Sequence, residues 1–195
     1  MSSPTRQCTR CLLLETHDTI TFDDATGVCS VCKNAEYKKE MDWVAKEQEF
    51  ARIIDRYMGK GQYDCIIPFS GAKDSTFTVF HLVTKYKVKP LVVCFDHGFM
   101  KPTVLANVRR MQDKLGIDVL RFEASKEIIK KTMRESLLRK GDFCWHCHTG
   151  IFAFPMHMAI RFKVPLVIWG QGNWEYNAFY RPWEQEDVGE MRFNR

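Results

Sequence analysis

With 195 residues and 22.9 kDa, the chain has room for one ordinary domain and a small appendage, which excludes two full enzyme domains. Its 45% hydrophobic and 27% charged residues exclude a disordered or collagen-like polymer. The balance of 29 basic against 24 acidic side chains, a net +5, suits an anionic ligand but falls well short of a nucleic-acid-coating surface. There is no apolar run approaching the roughly 18 residues that span a bilayer, and the start lacks the apolar stretch of a signal peptide. A cytoplasmic protein with no membrane partner is therefore expected.

In chain order, the first feature is cysteine. Six of the eight cysteines form three Cys-x-x-Cys pairs, at Cys8/Cys11, Cys29/Cys32 and Cys144/Cys147, which in a chain without a secretory signal read as metal ligands or redox groups. Residues 1–41 hold the first two pairs, few large apolar side chains and no long helical period, so they are expected to form a small module that needs a staple. Seventeen residues separate Cys11 from Cys29, within the spacing of a four-cysteine zinc site, and Gly27 supplies the backbone freedom such a knuckle uses. Four thiolates leave no open coordination position. The zinc expected on Cys8, Cys11, Cys29 and Cys32 is thus structural and not catalytic.

A second domain is expected over 42–195. It opens with a helix from Asp42 that aligns Trp43, Phe50, Ile53, Ile54 and Tyr57, and stops at Gly59 and Gly61. Short β-rich runs then alternate with helical periods. The pattern predicts strands over 65–69, 91–95, 119–122 and 166–169, and helices over 76–86, 102–115, 126–139 and 149–162. Thr76, Val79, Phe80 and Val83 are expected on the buried face of the first of these helices, and Leu105, Val108, Met111 and Leu115 on that of the next, where Pro102 takes the favoured first position. Such alternation implies an α/β fold with a parallel sheet covered by helices on both faces. Cys65 and Cys94 fall in strand runs and read as core. Lys126, Lys130 and Arg134 align at four-residue spacing, and with Glu127 and Glu135 beside them read as a solvated face before a phosphate stripe.

Between the first strand and its helix lies Phe69, Ser70, Gly71, Ala72, Lys73, Asp74, Ser75, Thr76. A turn there, opening a helix, presents free backbone N–H groups and the helix dipole to an anion. The spacing of a Walker loop is absent. The segment resembles instead the PP-loop, S-G-G-x-D-S, of the ATP pyrophosphatases, which cleave ATP between the α and β phosphates. Ser70, Gly71, Asp74 and Ser75 match position by position, Lys73 takes the variable place, and Ala72 stands where the family has glycine. By chemistry, Ser70 and Ser75 donate hydrogen bonds to pyrophosphate, Lys73 offsets developing negative charge, and Asp74 suits Mg2+. Lys73 and Asp74 are the candidate catalytic pair. If position 72 needs a left-handed backbone, its alanine costs about 1–2 kcal/mol.

Ligands of this fold class sit beyond the carboxyl ends of the strands. That makes Asp96, His97 and Gly98 candidates after the second strand, and Gly170, Gln171 and Gly172 after the fourth. His97 is equally readable as a polar loop residue without a role. By the PP-loop resemblance, the backbone near Phe95 and Asp96 flanks adenine, and Gly170 joins the nucleotide-binding set with Ser70, Gly71, Ala72, Lys73, Asp74 and Ser75.

The last dense feature is Cys144, Trp145, His146, Cys147, His148, two thiols and two imidazoles within five residues just before a predicted helix. A metal or iron-sulfur site, a reactive thiol at a helix N-terminus, a substrate loop, and buried thiols with capping side chains all remain open.

The opening Cys-x-x-Cys, residues 19–24 leading to Cys29 and Cys32, the PP-loop, and residues 143–151 together resemble the N-acetyl sugar amidotransferase family of bacterial surface-polysaccharide, lipopolysaccharide and O-antigen biosynthesis. The resemblance runs from about residue 8 to the end of the chain, and implies a C-terminus shorter than the family's. It also implies an adenine nucleotide alpha hydrolase-like fold and an AMP-forming reaction on a nucleotide-linked N-acetyl sugar. ATP activates the amide oxygen, and ammonia from partners resembling a glutaminase and cyclase pair displaces AMP to leave an acetamidino group. Glu175 is a candidate for an acidic role in the segment after Gly170. Two other functions remain: a tRNA-thiolating PP-loop enzyme using Cys144 and Cys147, and a non-catalytic ATP-binding protein.

Overall fold

The computed structural model describes residues 5–15 and 20–170. They fall into two compact units that divide between Lys46 and Glu47, inside helix α2 (Trp43–Tyr57).

The first unit is built on two antiparallel bridges, Gln7 with Leu14 and Phe22 with Cys29, followed by helix α1 (Ser30–Glu40). Its core is Cys8, Ile20 and Cys29, with Leu13, Phe22, Val31 and Cys32 packed against it. That is too little apolar area to stabilise a fold unaided. Helix α1 forms without an apolar stripe, which is why no periodicity in residues 30–40 announces it. Its start follows Cys29, which is in extended conformation at the N-cap.

The second unit contains a parallel sheet of β1 (Cys65–Pro68), β2 (Pro90–Asp96) and β3 (Asp118–Glu123), in that spatial order. Cys65 lies opposite Pro90, and Leu91 opposite Asp118. The other edge of β1 is paired as well. Ile66 donates its N–H to the Leu166 carbonyl and its carbonyl accepts from the Ile168 N–H, both at 2.9 Å, so residues 166–168 run parallel to β1. Spatially the chain steps from β1 to β2 to β3, then returns across the sheet to the far side of β1.

Alternation along the strands feeds two cores. Cys65, Ile67 and Val92 face Val79 and Leu82 of α3 (Lys73–Lys85), Val108 and Met111 of α4 (Pro102–Leu115), and Ile54 of α2. Ile66, Leu91 and Val93 face the other way, onto Ala159, Phe154 and Met158 of α6 (Trp145–Phe162). Helix α5 (Lys126–Lys140) packs on α6. Helices thus cover both faces. The division follows from chirality: parallel crossovers keep one hand, so a chain that reverses its direction across the sheet must also change face. Ile66, Ile67 and Val92 are completely buried, and each side chain of this kind contributes about 1.5–3 kcal/mol.

Two helices begin earlier than their periodicity suggests. Helix α3 starts at Lys73 rather than Thr76, and its buried face is Val79 with Leu82, while Phe80 is 50% exposed. Phe80 lies about 100° around the helix from Val79, and one sheet face cannot cover both. Helix α6 starts at Trp145 rather than at 149, so Trp145, His146, Cys147 and His148 form its first turn instead of a preceding loop. In α2, Phe50 and Ile54 join the core, but Trp43 is 57% exposed. Lys126, Lys130 and Arg134 are exposed on α5, and Cys65 and Cys94 are buried.

Helix α6 meets β2 at Gly150. A Cβ built there lies 2.1 Å from the Phe95 ring, so the aromatic ring occupies the place of a side chain. Gly150→Ala is expected to lower stability by about 1–3 kcal/mol through overpacking. Urea titration should show an earlier midpoint with an unchanged slope.

Candidate functional site

Cys8, Cys11, Cys29 and Cys32 bring their four sulfurs within 4.8 Å of one another. Cys8 and Cys32 Sγ are 3.9 Å apart and Cys11 and Cys29 Sγ 3.6 Å, close to the edge of about 3.8 Å in a tetrahedron with Zn–S bonds of about 2.3 Å. The two knuckles lock together through the backbone. Thr9 donates to the Gly27 carbonyl at 3.2 Å, and the Cys29 N–H reaches Cys8 Sγ at 3.3 Å. Gly27 has φ +70, and a Cβ there would lie 2.9 Å from the Thr9 methyl, so both its backbone and its missing side chain are used.

Burial raises the Cys8 thiol, but the N–H groups of Cys11, Cys29 and Arg10 outweigh it and bring it down to about 6. Burial and the neighbouring sulfurs push Cys32 up to about 12. Four thiolates cannot share this space as bare charges, and a divalent cation removes the conflict. The four-cysteine group can hold a metal ion such as zinc. Arg10 pairs with Glu36 and Lys33 with Asp23 at 2.6 Å, adding surface ties around it.

The loop at 69–76 leaves the carboxyl end of β1 and opens α3. Gly71 is left-handed at φ +74, and a Cβ on it would lie 2.8 Å from Val104 Cγ1 and 3.1 Å from the Val104 carbonyl oxygen. Ala72 is the N-cap residue, at φ −82 and ψ 175. This is ordinary extended backbone, so the alanine that departs from the PP-loop pattern carries no left-handed strain. The loop is folded on its own hydroxyls: Ser70 and Ser75 Oγ are 3.1 Å apart, and Ser75 Oγ donates to the Ala72 carbonyl at 3.2 Å. The first turn of α3 has backbone N–H groups without intrahelical acceptors. Lys73 Nζ lies 3.4 Å from Asp74 Oδ1, with the lysine side chain 88% exposed. Such an exposed pair adds little stability and leaves the ammonium in reach of an anion.

Gly170, beyond residues 166–168, closes the other side. A Cβ there would lie 2.8 Å from Thr78 Oγ1 and 3.4 Å from Ser75 Cα. The structure therefore gathers Ser70, Gly71, Ala72, Lys73, Asp74, Ser75 and Gly170 at the point where the sheet order reverses. Gln171, Gly172 and Glu175 lie outside the described residues, as does Thr19 in the N-terminal module.

At the end of β2, Asp96 is buried and fully engaged. Its Oδ2 accepts from Arg121 Nε at 3.0 Å and from an Arg121 terminal nitrogen at 2.6 Å, and its Oδ1 accepts from Gly98 N–H at 2.8 Å. The Arg121 guanidinium is held further into its charged state by this carboxylate. The Phe95 ring stacks on Phe122 at 5.9 Å. The backbone at 95–96 faces the carboxyl edge, but the side chains are committed to packing and to Arg121. His97 Nδ1 accepts from Phe99 N–H at 3.2 Å, and its carbonyl lies 3.5 Å from His146 Nε2.

That contact seats the first turn of α6 beside the loop after β2. Cys144 is the N-cap and its N–H donates to Asp142 Oδ1 at 2.8 Å. Burial, then Cys144, pushes the Cys147 thiol up. Among the described residues, Trp145 Nε1 and His146 Nδ1 are buried without a hydrogen-bond partner, and the Lys140 ammonium sits 4.6 Å from the centre of a Trp145 ring. Among the described residues, the metal-binding convergence is that of the four N-terminal cysteines; Cys144, His146, Cys147 and His148 do not share one. Successive side chains on a helical turn fan out by about 100° each, which separates their ligand atoms.

Sequence pattern missed Asn107 of α4, whose side-chain amide donates to the Gly71 carbonyl at 2.9 Å and to Thr76 Oγ1 at 3.0 Å. A polar residue within the apolar stripe of Val104, Val108 and Met111 is the signal that marks it. Arg121, a charge in an otherwise apolar strand run, carries the same kind of signal and was missed as well.

No protein-family model matches the chain. It is 26% identical over 115 residues to an uncharacterized protein of Methanocaldococcus jannaschii, a match that takes in 58% of this chain and 41% of that protein.

Cys29→Ser is expected to lose bound metal and melt earlier, measured by metal analysis and calorimetry on the same samples. Retention of one metal per chain with unchanged melting would refute the four-thiolate site. Gly71→Ala is expected to cost about 2 kcal/mol or more, from left-handed strain and contact with Val104, read as a shift of the urea midpoint.

Proposed function

We propose that the chain binds ATP at the 69–76 loop and supports AMP-forming chemistry on the amide of a nucleotide-linked N-acetyl sugar. The observation that carries the ATP part is the loop itself: an α3 N-terminus at the carboxyl end of β1, with a left-handed Gly71 on one side and Gly170 against Ser75 on the other. Anions favour that position in a doubly wound sheet. The sugar part rests on the resemblance of the cysteine pairs, the loop and residues 143–151, taken together, to the N-acetyl sugar amidotransferases.

In this reading the amide oxygen attacks the α phosphorus of ATP, the bond to the β phosphate oxygen breaks, and pyrophosphate leaves with the electron pair. Ammonia then adds to the activated carbon, and AMP departs with the former amide oxygen to leave an acetamidino group. The α3 backbone N–H groups, Ser70 and Ser75 hold the phosphates, and Lys73 offsets the charge that grows on pyrophosphate. Asp74 would hold Mg2+, which would screen the phosphate oxygens when bound. Zinc on Cys8, Cys11, Cys29 and Cys32 is structural. The reaction needs an ammonia source, and the family resemblance points to glutaminase and cyclase-like subunits of the cytoplasm.

A second reading, transfer-RNA thiolation, is favoured by one contact: the Cys144/Cys147 turn lies against His97, on the same edge of the sheet as the loop. The modest +5 charge weighs against it.

The test measures AMP and pyrophosphate from ATP, Mg2+ and ammonium, with UDP-N-acetyl sugars in one arm and bulk tRNA in the other. Sugar-dependent AMP is expected, falling about 100-fold or more in Asp74→Asn and Lys73→Ala. AMP that follows tRNA selects the second reading. Absence of AMP in both arms, with ATP still bound, makes the chain a non-catalytic nucleotide binder.

A further inference from the structure

Both side-chain N–H bonds of Asn107 are spent on the loop, and the partner of the first fixes what the amide does. The Gly71 carbonyl has no proton, so the atom 2.9 Å from it must be the amide nitrogen. The second N–H goes to Thr76 Oγ1 at 3.0 Å, which ties the loop to the first turn of α3. Val104 and Val108, one turn and one residue away on α4, fill the space in which a Gly71 side chain would lie.

In a trans peptide the C=O and N–H point in opposite directions. Drawing the Gly71 carbonyl toward α4 therefore turns the Ala72 N–H away from α4, to the side of the Ser70 and Ser75 hydroxyls, where it donates to Ser70 Oγ at an N···O distance of 3.4 Å. If this peptide rotated by half a turn, a carbonyl oxygen would take the place of the N–H and repel a phosphate. The same rotation would carry Ala72 from φ −82 into positive φ, which an alanine resists and a glycine does not.

We propose that Asn107 is a positioning residue for the phosphate loop: it locks the Gly71–Ala72 peptide with its N–H toward the anion, and Ala72 backs the lock by opposing the flip. The inference rests on the ATP reading for its ligand, but not for the lock. The glycine-to-alanine departure at 72 thus preserves the loop's binding geometry instead of degrading it.

The test uses the full chain and the variants N107A, N107D, A72G and N107A/A72G, each first shown to melt cooperatively. In the ligand-free protein, 15N relaxation dispersion at residue 72 should be flat in the native chain and appear in N107A/A72G. Flat dispersion in every folded variant overturns the lock. With Mg-ATP as the probe, N107A should raise Kd about 5-fold, the worth of one hydrogen bond, and A72G about 2-fold. The double variant should exceed the product of the two, because each change removes the restraint that masks the other. N107D, which cannot donate to the carbonyl, should bind more weakly than N107A. In the AMP assay the effect should fall on KM for ATP and leave kcat within about 2-fold. Strictly additive effects, or N107D equal to the native chain, overturn the proposal. Dispersion that behaves as expected in a protein blind to ATP supports the lock and overturns the ATP reading.

Discussion

The hydrogen bonds on both edges of β1 place the candidate site. On one side β1 pairs with β2, and on the other the Ile66 backbone bonds residues 166–168, so the strand lies inside the sheet and its two neighbours arrive from opposite directions of the chain. Reversal of direction with a fixed crossover hand sends α3 and α4 to one face and α6 to the other, which makes the carboxyl end of β1 the point where the strand order reverses. The 69–76 loop leaves the sheet there, with Gly170 coming from the far side. Breaking the Ile66 pairing would part Gly170 from the loop, whose own hydroxyls and Asn107 hold the rest.

Within that frame, small residues set the close approaches. Gly71 lets the loop touch α4, Gly170 lets the fourth segment touch α3, and Gly150 lets Phe95 of β2 press into α6. Each leaves the place of a side chain to a neighbour, Val104, Thr78 or the Phe95 ring, so side-chain chemistry at the carboxyl edge is left to Lys73, Asp74, the two serines and the first turn of α6. The first unit works by a different rule. Its apolar core is small, and the four sulfurs supply the convergence that hydrophobic burial cannot.

Strands β1 to β3 and helices α2 to α6 were legible from apolar periodicity and from punctuating residues such as Pro102 at the start of α4, while residues 166–169, read as a strand, form a single bridge at Val167. The four-cysteine group was legible from spacing alone. Helix α1 was not, since a polar helix beside sulfur ligands has no stripe to read. The early starts of α3 and α6 were hidden for a related reason: their first turns carry Lys73, Asp74, Cys144 and His146, residues chosen for the edge of the sheet rather than for a buried face. Asn107 was overlooked because one polar residue in an amphipathic helix is usually read as noise.

What the sequence by itself determined is most elements of the second unit, the cysteine quartet and the residues of the 69–76 loop, because each depends on neighbours within a few positions in the chain. Tertiary structure alone decided that Ala72 is extended, that Asn107 holds the Gly71 carbonyl, that Asp96 is committed to Arg121, and that the Cys144 turn lies against His97. The last three are contacts between segments 25 to 49 residues apart. A chain reveals them only once the sheet order has chosen which strand ends meet.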